Sequence, residues 1–65
     1  MYNVLFNKEN DSLILISDNN PDFRFYADKL MQLYKGNRAK CLQFIEEYHN
    51  ENFIPEEKQI FLEIK

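Results

Sequence analysis

The chain predicts a small α+β fold, a two-layer ββααβ arrangement in which a three-stranded antiparallel sheet packs on an antiparallel helix pair. Three observations carry this. Two short apolar runs flank a polar tetrapeptide at the start. A helical period follows, punctuated by the single glycine. A cleanly alternating segment then closes the chain.

Tyr2-Asn3-Val4-Leu5-Phe6-Asn7 alternates, with Tyr2, Val4 and Phe6 on one face and Leu5 on the other. Lys8-Glu9-Asn10-Asp11 is a polar turn, and Ser12 to Ser17 reads as a second strand that completes a β-hairpin. The period changes at Asp18 to Asp22. Asn20 suits an N-cap, Pro21 the first helical position and Asp22 the positive helix end. A first helix is expected from there to Tyr34 or Lys35, ended by Gly36 in the left-handed cap conformation. Asn37 then caps a second helix from Arg38 to Asn50, and so short a connection makes the two helices antiparallel neighbours. Asn50-Glu51-Asn52 breaks that helix. Phe53 and Ile54 are expected to tuck into the core, and Pro55 to Lys58 to turn. Gln59 to Lys65 forms a last strand with Ile60, Leu62 and Ile64 on one face.

Sixty-five residues make one domain, spanning 1–65. A chain of this size buries only about 60% of its unfolded surface, so its stability is expected to be marginal. The single Cys41 forms no internal disulfide, and with the single His49 it cannot complete a four-ligand structural zinc site unless carboxylates or a second chain supply the rest. Six Phe and four Tyr supply the packing instead and argue against disorder. Lys8, Glu9 and Asp11 interrupt any apolar leader, and the longest aliphatic run, Leu13 to Ile16, is far short of a membrane span. A cytoplasmic location is the expectation, since one cysteine suits a reducing compartment.

The expected first helix gathers Phe23, Tyr26, Ala27, Leu30, Met31, Leu33 and Tyr34 into one stripe, leaving Phe25 on the polar side. Phe25 either folds back on the hairpin or anchors an interface. The second helix gathers Cys41, Leu42, Phe44, Ile45 and Tyr48, with Glu46, Glu47 and Asn50 opposite. With both helices on one sheet face, the other face would expose Leu5, Phe61 and two aliphatics, Ile14 and Ile16 among the candidates. That is a patch of the size that marks an interaction site or a homodimer contact.

Charge is segregated. Residues 1–23 carry −3, residues 24–40 carry +4 and residues 41–65 carry −4. Lys35, Arg38 and Lys40 cluster at the turn between the expected helices, where the helix dipole accounts for Lys35 alone.

The inventory argues against catalysis. Cys41 and His49 lie eight residues apart on one helix, about 12 Å along its axis, beyond hydrogen-bond reach. Glu46-Glu47 and Glu56-Glu57 are sequence neighbours and point apart on a helix. The single glycine excludes a glycine-rich phosphate loop. No enzyme activity, cofactor, metal or membrane partner is expected.

The leading expectation is a non-enzymatic regulator or inhibitor that binds another protein. Its anchors would be Leu5, Ile14, Ile16, Phe25 and Phe61. Glu46, Glu47 and Glu51 would complement a basic target or imitate nucleic acid on a nucleic-acid-binding partner. Size and composition are like those of small phage- or plasmid-encoded inhibitors, an analogy that covers no motif. The alternative is a dimeric nucleic-acid-binding regulator using Lys35, Arg38 and Lys40, against which the net charge of −3 weighs.

Overall fold

A computed structural model describes residues 1–62. Among them the elements run β1 (Tyr2–Asn7), β2 (Ser12–Ser17), α1 (Phe23–Lys29), β3 (Met31–Gly36), α2 (Arg38–Asn52), a 3-10 turn (Glu56–Lys58) and β4 (Gln59–Leu62). The fold is α+β, built on one mixed sheet in the order β3-β1-β2-β4.

The hairpin forms as its sequence dictates. β1 and β2 pair antiparallel from Tyr2↔Ser17 to Asn7↔Ser12 without a slip. Asn10 Oδ1 accepts from the Ser12 N–H, and Asp11 takes the left-handed backbone conformation (φ 58°) that a short polar side chain tolerates.

The first correction falls on the expected long helix. Asn20 is not the N-cap and Pro21 not the first helical residue: α1 begins at Phe23 with Asp22 in the cap position and no side-chain capping bond, while Asn20 Oδ1 accepts from the Asp22 N–H at 2.8 Å in the turn before it. The helix stops at Lys29, and Met31–Gly36 forms β3 along the outer edge of β1. Local helix propensity loses to the unpaired edge of β1, where pairing satisfies a row of backbone groups at once. Gly36 is therefore no left-handed cap. It ends a strand at negative φ, where the Tyr34 ring lies 3.1 Å from the position a Cβ would take. That close approach is what makes glycine suitable there.

The second correction concerns the layers. The helices are not an antiparallel pair on one face. Val4, Leu13 and Leu15 pack with Cys41 and Ile45 of α2 on one side of the sheet. Leu5, Ile14 and Ile16 pack with Phe23 and Tyr26 of α1 on the other. Chain direction explains this. β3 is antiparallel to β1 and hence parallel to β2, and β4 is parallel to β2 as well. The β2-α1-β3 crossover and the β3-α2-β4 crossover run in opposite directions across the sheet. Two such crossovers of the same, right-handed sense must lie on opposite faces.

α2 matches its expected start. Asn37 Oδ1 accepts from the Lys40 N–H at 2.8 Å, the capping bond its position suggested. The helix ends two residues later than expected, at Asn52, with the Ile54 N–H reaching back to the His49 carbonyl at 3.1 Å. Ile54 is buried, as expected, but Phe53 does not tuck in. It is 90% exposed and holds the left-handed conformation (φ 55°). Glycine takes that conformation without the Cβ clash and would forfeit little packing here. Phe53→Gly should accordingly stabilise the chain by about 0.5–1 kcal/mol, seen as a Tm rise of several degrees.

β4 joins the hairpin on the β2 side, but in parallel, and Ile14↔Ile60, Leu15↔Phe61 and Ile16↔Leu62 are neighbours. Leu62 thus packs against the α1-side cluster, and Phe61 shares the α2 side with Leu15. The expected face of Ile60, Leu62 and Ile64 is corrected to the α1 side for the first two, and Ile64 lies outside the described residues.

Candidate protein-binding surface

The anchors expected from the sequence divide sharply. Leu5, Ile14 and Ile16 are buried beneath α1, so the uncovered sheet face does not exist. A side chain in that position cannot meet a partner. Phe25 is 57% exposed on α1, edge-to-face with Tyr26 and with the Lys29 ammonium 4.3 Å from its ring centre. Phe61 is 50% exposed on β4. The two exposed rings stand on opposite sides of the sheet and form no common patch.

Phe61 does have company. It lines a groove of about 350 Å³ between α2 and β4, walled by Leu42, Ile45, Glu46, His49, Glu56 and Gln59 among others. The register that sets Phe61 beside Leu15 places it on the α2 side, and the helix presents Leu42, Glu46 and His49 to the same groove. Of the expected partner-binding residues, Phe61 and Glu46 are the two brought together. Glu47 lies elsewhere, lining a hollow with Tyr34, Lys40, Gln43 and Phe44. Glu51 is exposed near the end of α2.

The groove is chemically mixed. Leu42, Ile45 and Phe61 supply apolar wall, and Glu46 and Glu56 supply negative charge. His49 Nδ1 donates to the Ile54 carbonyl, which fixes the tautomer and makes this histidine part of the α2 terminus. Gln59 Nε2 is buried and has no hydrogen-bond partner among the described residues. A buried donor left unpaired costs about 1–3 kcal/mol.

Gln59 was missed by sequence reasoning, and Glu56 was weighed only as a carboxylate pair with Glu57 and not as part of a binding surface. Their signal was the polar turn that carries them, but only the path of the chain after α2 brings that turn beside Glu46. The aromatic run along the α2 side was also missed. Tyr34 stacks on Phe44 at 5.0 Å, Phe44 on Tyr48 at 5.7 Å, and Tyr48 meets Phe6 edge-on at 6.0 Å. These rings tie α2 to β1 and β3 and close that end of the core.

The basic corner is dispersed. Lys35 lies beside Asp18, with Nζ 3.5 Å from Oδ2. It stands opposite Asn3 in the sheet and therefore on the α1 side, while Lys40 belongs to α2 and lines the hollow with Glu47. Arg38 opens α2 and has interactions of its own.

Cys41 is buried with its Sγ 3.8 Å from the Gly36 carbonyl oxygen, and burial pushes its thiol pKa up, away from the reactive thiolate. Among the described residues, no helix is long and apolar enough to cross a membrane, and no group of three or more acidic, Cys or His side chains could hold a metal ion.

No family model, curated protein or solved structure matches the chain significantly. The functional reading therefore rests on the chemistry of this surface.

Proposed function

We propose that the chain is a non-enzymatic regulator or inhibitor that binds another protein through the groove between α2 and β4, with Phe61 as the central anchor. The observation that carries this reading is the half-exposed Phe61 ring, set on the outermost strand of the sheet beside the carboxylates of Glu46 and Glu56. Aromatic side chains in partly apolar recesses with a polar rim are the residues on which protein interfaces concentrate their binding energy. Leu42 and Ile45 extend the apolar contact, and the acidic rim favours a partner of opposite charge.

Phe61→Asp tests the reading. The substitution sits on an exposed position of an edge strand, so it should cost only about 1 kcal/mol of stability and leave the circular dichroism spectrum intact. Association with the partner, measured by affinity capture and then with the purified partner, should be lost. Phe25→Asp, on the far side of the sheet, should leave it unchanged. Equal binding by wild type and Phe61→Asp would rule out the groove.

A further inference from the structure

If the groove is the protein-binding site proposed above, its chemistry also selects among partners. On that footing, we infer that the occupant is an extended, basic segment of another protein, added along the open edge of β4 with a Lys or Arg side chain set between Glu46 and Glu56.

Charge is the first ground. Five glutamates against the single Lys58 give residues 41–62 a net −4, and among the described residues no Lys or Arg lines the groove itself. A carboxylate on α2 and another on the turn before β4 share one recess whose remaining wall includes Leu42, Ile45 and Phe61. That combination matches a long cationic side chain. Its methylene stem covers apolar wall, its head meets carboxylate, and a guanidinium can stack on the Phe61 ring.

The edge of β4 is the second ground. Sheets normally guard their outer strands with charge, bulges or proline. β3, at one end of the sheet, has a register shift opposite Val4/Leu5 and carries Lys35. β4, at the other end, is guarded only by its shortness: its four residues, Gln59, Ile60, Phe61 and Leu62, are all uncharged and pair with β2 in unbroken register. Ile60 and Phe61, both exposed, stand on its two faces. An incoming strand would pair with this backbone and place alternate side chains on the α2 side, in line with Phe61. The unpaired Gln59 amide lies in the same wall, where a turn of its side chain would offer a donor to the segment's carbonyl groups.

A second copy of this chain is a poorer fit. Its other edge strand, β3, would have to present Lys35, and that ammonium already faces Asp18.

The test is an unbiased display library of short linear peptides, panned against the intact chain at low salt. Selected peptides should be enriched in Lys and Arg and weaken as salt rises. They should lose about tenfold in affinity on Glu46→Gln/Glu56→Gln, and keep full affinity on Glu47→Gln. Neutral or acidic winners, or basic winners indifferent to the double substitution, would overturn the basic occupant. If such peptides are still lost on Phe61→Asp, the groove stands as the binding site and only its specificity has been misread. Failure to select any peptide, or selection of peptides indifferent to Phe61→Asp, removes both readings. A dimer in light scattering that Glu46→Gln/Glu56→Gln dissociates would overturn the inference in favour of a second copy.

Discussion

Leu5→Ala should destabilise the chain by about 2–5 kcal/mol and leave a substantial unfolded population at room temperature. Leu5 is wholly buried between the hairpin and α1, where it packs with Ile14 and Ile16. A domain of this length is expected to hold about 3–10 kcal/mol in all, so one cavity of this kind removes much of it. Urea denaturation reads the loss directly as a lower midpoint with an unchanged slope. The comparison with Phe25→Ala is the sharper part of the experiment. Phe25 belongs to the same helix face of the sheet but is exposed, and its removal should stay within about 0.5 kcal/mol. If Leu5→Ala proved as mild as Phe25→Ala, α1 would not cover the sheet as described.

The second large effect is expected at Asn3, a polar residue buried near the start of β1 on its α1-side face. Its Nδ2 donates to the Ile16 carbonyl at 3.2 Å and to Asp18 Oδ1 at 2.7 Å, and its Oδ1 accepts from Gln32 Nε2 at 2.6 Å. One side chain therefore ties β1 to β2, to β3 and to the exit from the hairpin. Asn3→Ala removes all three bonds and leaves a small cavity at a fully buried position, at a cost of about 2–4 kcal/mol.

This network also sets an acid limit. The hydrogen bond from Asn3, aided by the charge of Lys35, holds the Asp18 carboxyl below its ordinary value of 3.8 against the opposing effect of burial. A carboxyl with a depressed folded-state pKa contributes stability that is fully present well above 3.8 and is lost as pH falls below it, through the folded value. Asp18→Asn should therefore flatten the decline in Tm below about pH 4. An equally steep decline in that variant would assign the acid sensitivity to other carboxylates.

Where the sequence was legible, local chemistry decided the outcome. The hairpin is set by two apolar runs and a polar turn, and its strands fall at Tyr2–Asn7 and Ser12–Ser17 as expected. α2 begins at Arg38 because Asn37 is a competent cap with amphipathic helix after it. The helical stripe of α1 was also legible in part, since Phe23, Tyr26 and Leu30 do pack on the sheet. Its continuation through Met31, Leu33 and Tyr34 fits a 3.6-residue period equally well, yet Leu33 and Tyr34 pack on the opposite side against the α2 cluster. No local signal separates those two outcomes. The separating fact is an unpaired edge of β1, which exists only once the hairpin has folded.

The same limit shaped the candidate surface. Phe61 and Glu46 could be picked out as an exposed anchor and an acidic helix face, but their meeting in one groove depends on the register of β4 against β2 and on the side of the sheet that α2 covers. By itself the sequence determined the hairpin, the capped second helix and the acidic final third. Tertiary structure alone decided that Met31–Gly36 is a strand, that α1 and α2 cover opposite faces, and that Phe61 turns toward α2. The physical reason is common to all three. Strand pairing and crossover direction are satisfied between segments far apart in the chain, and residue spacing within a segment carries no record of its distant neighbour.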